Sequence, residues 1–383
     1  PTSKEFAKGI ILADRTEMGQ EMTEDFSKTG LVHFLAISGT HMIVIFWLIS
    51  FVLMKLFPRN LKKLAIVLSL IFIWVFTVFI DYGSSVVRSA LMLTVYYSFS
   101  MLNRKPDVLH SLSLAGFILL VANTQSLFDV GFQLSFLAVL GIYWLNPSFE
   151  KLFPKPRNNF QKFFISITSV SISAQLATLP LVIYYFHQYS VLSIFVNILI
   201  VPFSEIIIIF SLLMTLLLGI GLEIKWIDWL FDRVVTILME VIHFFSKIDW
   251  AYFENIPLSL VEVVLLFVLM YHIPNIVLKK NNKQIVIFSF FLMMTFAVRL
   301  FLNFYYNNKN EVLTMKNGKK EMLILKKKNK VFFYIPDGSD TISIKKYTVN
   351  PYLSSRRTNN YRLRFIPNNS SKVLIDGKLY NLK

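Results

Sequence analysis

The chain has 383 residues, 37 of them phenylalanine, a mean hydropathy of +0.57 and a formal net charge of +16. Hydrophobic residues make up 55% of it, which excludes an ordinary soluble domain and predicts a polytopic membrane protein. It has no cysteine, so a disulfide framework and a thiolate metal site are both excluded.

The chain opens at Pro1 without a methionine or a basic-then-apolar leader, which predicts a fragment or a processed piece. Residues 1–30 are expected to form an amphipathic external lead-in. From Gly30 to Met42, GLVHFLAISGTHM then carries His33, His41 and the Ser38-Gly39 break into a membrane-length apolar run. Unsatisfied polar groups in hydrocarbon are costly, so such a segment must face protein or a water-filled cavity.

Membrane spans are predicted at Leu31–Phe57, Leu64–Ile80, Val86–Leu102, Leu109–Phe128, Val130–Leu145, Phe163–Phe186, Val191–Leu222, Leu258–Ile273 and Gln284–Tyr306. Proline removes a helical hydrogen bond, so a half-helix followed by a full one is expected around Pro202. Between the spans Val191–Leu222 and Leu258–Ile273, Trp226–Ile248 has a period near 3.6. Asp228, Asp232, Glu240, His243 and Lys247 lie on one side of it, opposite Trp229, Leu230, Ile237, Val241 and Phe244. This pattern predicts a helix lying at the interface, the alternative being an outer bundle helix with a wet face.

Basic residues recur in alternate loops, at Arg59/Lys62/Lys63, Arg104/Lys105, Lys151/Lys155/Arg157/Lys162 and Lys279/Lys280/Lys283. Those loops are expected to be cytoplasmic, leaving the N-terminal segment and the tail outside. Residues 307–383 hold 17 Lys+Arg against 5 Asp+Glu, a net +12. Short runs there (EVLTM, EMLILK, KVFFYIP, KVLIDGKLYNL), with Asn317-Gly318, Asp337-Gly338 and Asp376-Gly377, predict a β-rich module with hairpin turns. The expected fold is an all-α polytopic membrane protein of about 8–11 helices, some broken or interfacial, with a small β-rich C-terminal soluble module. Its parts are 1–30, a membrane region 31–306 and the basic module 307–383.

Polar residues inside the apolar runs are the candidate functional positions. Arg88 enters a span just after Val86, and is either a cation snorkelling to the interface or an inward-facing group that meets an anion in transit. Gln133, Gln175, Asn197 and Glu205 bring amides and a carboxyl into apolar segments, as structural glue or as a shared lining. Ser166, Ser169, Ser173 and Ala177 form a small-residue face suited to close helix packing or to lining water. Ser38 with His33 or His41 admits a Ser/His intramembrane hydrolase, although the Ala-Ile-Ser-Gly context differs from the rhomboid-type pattern. No P-loop motif occurs and the tail has no histidine, so neither ATP hydrolysis in that manner nor a histidine-rich metallohydrolase centre in the tail is expected.

Four segments in order, His33–Met42, Tyr82–Met92, Asp129–Val139 and Gln175–Glu205, resemble the competence domain of the ComEC family over roughly residues 1–300. In that resemblance His33, Ser38, Gly39 and His41 fall on the leading motif and Arg88 on the Ser-Val-x-Arg motif. Gly131 and Gln133 fall on the Gly-Phe-Gln-Leu-Ser motif, Asn197 and Pro202 on the Asn-x-x-x-x-Pro motif. Thr40 and Ser84 depart mildly from the family pattern, which usually has Leu and Pro there. The resemblance implies a channel of the bacterial inner membrane that admits transforming DNA as a single strand. It implies as partners an external DNA receptor and a cytosolic DNA translocase. The family's upstream oligonucleotide-binding module and downstream metallo-β-lactamase-like domain are not found in the sequence. The expected protein is therefore a conduit and not an enzyme, with no cofactor. Its candidate lining is His33, Ser38, Gly39, His41, Arg88, Gln133, Gln175, Asn197, Pro202 and Glu205. The main rival is a secondary transporter of a small polar or anionic solute with a site at a broken helix near Pro202.

Overall fold

The computed structural model describes residues 19–35, 39–80, 82–105, 107–219, 221–222, 224–279, 282–317, 320–367, 372–375 and 378–381. They form two compact units: residues up to 179 with 189–252, and residues 180–188 with 253–383.

The first unit contains α1 (Gln20–Lys28), α2 (Gly39–Leu56), α3 (Lys62–Phe79), α4 (Ser84–Met101), α5 (Val108–Ala122) and α6 (Val130–Leu152). It continues through most of α7 (Asn159–Phe186), then α8 (Ser193–Gly219) and α9 (Lys225–Ser246). Its core joins Phe26 of α1 and Leu31 to Met42 and Phe46 of α2, Ile73 of α3, Ala90 of α4, Ile200 of α8 and Ile242 of α9. The short connections set successive helices antiparallel, and α2 packs on α3, α4 and α8.

All nine expected spans correspond to helices, and among the described residues seven helical segments are long and apolar enough to cross a bilayer. At about 1.5 Å per residue, the 15-residue α5 is shorter than a hydrocarbon core of roughly 30 Å. In the second unit, α10 (Leu260–Lys279) and α11 (Asn282–Asn308) form a hairpin. No residue of α11 is buried; Phe290, Met293, Phe296, Leu300, Phe301 and Phe304 are all exposed, a surface suited to lipid. The chain is a multi-pass membrane protein.

Two expectations about helices are corrected. Pro202 does not break its segment: α8 runs unbroken from Ser193 to Gly219 with Pro202 inside it. Packing and local adjustment compensate for the missing bond, as transmembrane helices tolerate. In α9 the buried stripe is Ile227, Val235, Leu238, Ile242 and Ser246, whereas Trp229, Ile237 and Phe244 of the expected apolar face are exposed. The register is fixed by α1, whose Asp25 accepts from the Ser246 hydroxyl at 2.6 Å and lies 2.7 Å from His243 Nδ1.

The C-terminal module is a four-stranded sheet of β1 (Glu311–Asn317), β2 (Lys320–Lys327), β3 (Lys330–Pro336) and β4 (Tyr361–Ile366), in that spatial order, plus a hairpin of β5 (Lys372–Ile375) and β6 (Lys378–Asn381). β1–β2 and β5–β6 join where Asn317-Gly318 and Asp376-Gly377 predict turns. Asp337-Gly338 does not close a hairpin. β4 is parallel to β3, and a parallel pair needs a crossover, here through α12 (Thr341–Ile344) and α13 (Asn350–Ser355). The β2–β3 turn uses Lys328 instead, at φ 52°.

The module is tied to the hairpin by buried ionic groups within the second unit. Ser259 and Glu262 form a capping box at the head of α10: the Glu262 carboxylate accepts from Ser259 N at 2.7 Å and from Ser259 Oγ at 2.8 Å. Glu262 is 1% exposed and also pairs with Arg357, which donates in turn to Asn303 Oδ1 at 2.9 Å. The buried Lys326 ammonium donates to the carbonyls of Tyr306, Lys309 and Lys328, closing the end of α11.

Candidate functional site

Polar candidates gather at one end of the first unit, where α2, α4, α6 and α8 begin. Arg88 lies one turn into α4 and is buried. Its Nη1 donates to Asp129 Oδ2 at 3.1 Å. Asp129 is the N-cap of α6 and also accepts from the backbone N–H groups of Gly131 (3.3 Å) and Phe132 (2.9 Å). One carboxylate thus caps a helix and half-neutralises a cation, and it remains about half exposed (46% for its side chain). Gly131 makes room for this arrangement, since a Cβ there would stand 3.1 Å from Arg88 Nη2. At the head of α2, a Cβ on Gly39 would meet Ser89 Oγ at 3.2 Å, which brings the Ser-Gly and Ser-Val-x-Arg segments together.

A second group lies where α7 and α8 meet. Ser193 Oγ donates to Gln175 Oε1 at 2.9 Å, and Asn197 follows one turn later on α8. Gly30, in the left-handed region at φ 77°, sits against this pair. A Cβ at Gly30 would fall 2.6 Å from Ser193 Cβ and 3.5 Å from Ser190 Cβ, so only glycine fits. Among the described residues, Arg88 Nε, Gln175 Nε2, Ser190 Oγ and Asn197 Oδ1 are buried without a hydrogen-bond partner. Buried polar atoms of this kind mark sites that water or a passing polar ligand can serve.

The other candidates are placed as follows. His41 is buried in α2 with its ring 6.4 Å from Phe34, whereas His33 is exposed in a short turn at Val32–Leu35. Ser38 lies outside the described residues. Gln133 is held locally, its Nε2 donating to Leu127 O at 2.9 Å. Pro202 and Glu205 are half-buried further along α8. The small face of α7 is a packing surface. A Cβ on Gly141 of α6 would lie 2.1 Å from Ala177 Cβ, Ser173 Oγ donates to Ser169 O, and Ser166 is exposed. Asp129, Gly30 and Ser193 were not among the expected site residues. The signal for Asp129 was legible, an Asp immediately before an apolar helix.

Among the described residues no group of three or more His, Cys, Asp or Glu could hold a metal ion. No solved structure matches the chain. The "ComE operon protein 3" of Bacillus subtilis (strain 168) is 30% identical over 250 residues, which cover 63% of this chain and 31% of the relative. The chain therefore matches under a third of that protein's length. The competence protein family profile matches residues 10–280. With that profile covering more than half of its residues, the chain belongs to the competence protein family, of the ComEC type.

Proposed function

We propose that the membrane bundle conducts transforming DNA inward as a single strand across the bacterial cytoplasmic membrane, without chemistry of its own. An external DNA receptor feeds it and a cytosolic translocase drives it, with the C-terminal module on the outer side. The observation that carries this reading is the gathering of Arg88, Gln175, Ser190 and Asn197 at one end of the first unit. Each has a buried polar atom that no described residue satisfies.

Conduction needs contacts favourable enough to admit a charged strand and weak enough to release it. Amides and hydroxyls meet that need, and many free lysines would not. Arg88 fits because Asp129 already holds part of its charge. A passing phosphate exchanges with a half-exposed carboxylate instead of meeting a bare cation. In the paired state the guanidinium is parked against Gly131. The continuous helix through Pro202 removes the broken-helix feature on which a midplane solute site would rest.

The test is import of labelled DNA in cells carrying Arg88→Ala or Asn197→Leu. A drop of about tenfold or more in internal label, with normal protein level and normal external binding, is expected. Normal import in both variants would overturn the lining.

A further inference from the structure

The two faces of the C-terminal sheet differ in a way that bears on where a strand is first held, an inference that rests on the proposed role in DNA import. One face packs Met322, Ile324, Phe333 and Ile335 against Ile344, Val349, Tyr352 and Leu353 of the crossover. On the other, the register sets Lys327 opposite Lys330, Phe332 opposite Arg362, and Tyr334 opposite Arg364. All four cations are exposed, so a diagonal line of positive charge crosses β2, β3 and β4 with neighbours roughly 5–8 Å apart. Lys327 and Lys330 stand opposite one another, and like charges so placed weaken a ladder, so that pair is a cost to the fold alone. In the register Glu321, at the far end of β2, pairs with Lys316 of β1.

Arg364 is prearranged as well as charged. Its guanidinium lies 5.1 Å from the Phe332 ring centroid and 5.7 Å from that of Tyr334, and Nη1 donates to the Tyr334 hydroxyl at 3.3 Å. A stacked guanidinium keeps its planar fork fixed and gives up little freedom on gripping a phosphate. The two rings belong to a second buried apolar cluster on this face, with Leu323, Leu325 and Ile366, and the four cations stand exposed beside it. That combination suits a flexible polyphosphate strand better than a bilayer surface.

We propose that Lys327, Lys330, Arg362 and Arg364 form a loading surface for the phosphodiester backbone of single-stranded DNA, independent of base sequence. The experiment is fluorescence anisotropy of a labelled oligothymidylate with the full chain in neutral detergent micelles, titrated with salt. Arg362→Glu with Arg364→Glu is expected to weaken binding about tenfold or more and to flatten the salt dependence by about 0.7 in log–log slope for each phosphate that is no longer neutralised. Lys345→Glu, an equivalent charge change per residue on the exposed helical side, is expected to change it by less than about threefold. Equal weakening per charge changed, or no weakening, would overturn the proposal in favour of diffuse attraction. Abolished adsorption to anionic phosphatidylglycerol vesicles with unchanged oligonucleotide binding would overturn it in favour of a membrane-facing surface. Binding is read here without transport, so a negative result leaves the conduit reading intact, and a failed import assay leaves this one intact.

Discussion

Gly131 is shaped around Arg88: a side chain at 131 would press on the guanidinium at 3.1 Å, and the residue two places earlier, Asp129, holds that guanidinium by an ion pair. Asp129 therefore has two separable tasks, capping α6 and pairing with Arg88. Asp129→Asn keeps a cap acceptor and is expected to lower stability by only about 1 kcal/mol, from the half-exposed pair. Asp129→Ala removes the cap too, and about 1–3 kcal/mol is expected. Thermal unfolding in detergent measures the difference, and equal destabilisation would show that the cap contributes nothing.

Gly141 of α6 and Ala177 of α7 approach so closely that there is no room for a methyl group on Gly141. Gly141→Ala should cost about 1–3 kcal/mol by overpacking. Adding Ala177→Gly should recover most of that stability in the same thermal assay, because it removes the atom in the way. Failure of the second change to rescue would place the strain at the Ser173 carbonyl instead, 3.2 Å from the added methyl.

The tail is expected to detach when Arg357 is removed. Glu262 is buried, and once Arg357→Ala is made it keeps the Ser259 hydrogen bonds but, of its cationic partners, only the longer contact to Arg299 Nη1 (3.4 Å). Leaving a buried charge without its main partner costs about 3–5 kcal/mol. Limited proteolysis should then cut the chain near residues 309–360 much faster than in the parent. Replacing both groups, Glu262→Gln with Arg357→Met, should cost less than Arg357→Ala alone. If the double variant is the more labile, the pair stabilises the fold outright.

Acid should loosen the same module through Glu311. Arg356 donates to Glu311 from Nε at 2.6 Å and from Nη2 at 2.8 Å, which holds the Glu311 carboxyl below its ordinary value near 4.5. A depressed carboxyl contributes stability that is complete above that ordinary value and is lost as pH falls through the lower, folded one. The protection of β1 and α13 against hydrogen exchange, taken relative to the intrinsic rate at each pH, should therefore fall below about pH 4.5 in the parent, while Glu311→Gln should be less protected at neutral pH and change less on acidification. Parallel pH profiles for the two proteins would contradict the assignment.

The helices were legible because long apolar runs bounded by basic loops leave few other structures in a bilayer. The candidate site was legible only in part. Arg88, Gln175 and Asn197 stand out as polar residues in greasy segments, but Asp129, which pairs with Arg88, and Ser193, which donates to Gln175, come from other elements, and spacing along one helix cannot reveal them. The same cause misplaced the buried face of α9, since Asp25 of α1 decides its rotation from more than two hundred residues away. Pro202 and Asp337-Gly338 misled for a related reason: each is a local breaker signal overridden by longer-range packing, a continuous membrane helix in one case and a parallel strand pair in the other. The Ser259–Glu262 capping box was readable as Ser-x-x-Glu before an apolar run, and marks the start of α10.

Whether this chain carries the strand across the membrane is measured by following labelled DNA in competent cells that lack the gene, with and without the restored chain. Label bound outside and none inside is expected without the gene, and protected single-stranded label inside once the chain returns. Internal label at the parental level in cells without the gene would contradict the proposed conduit.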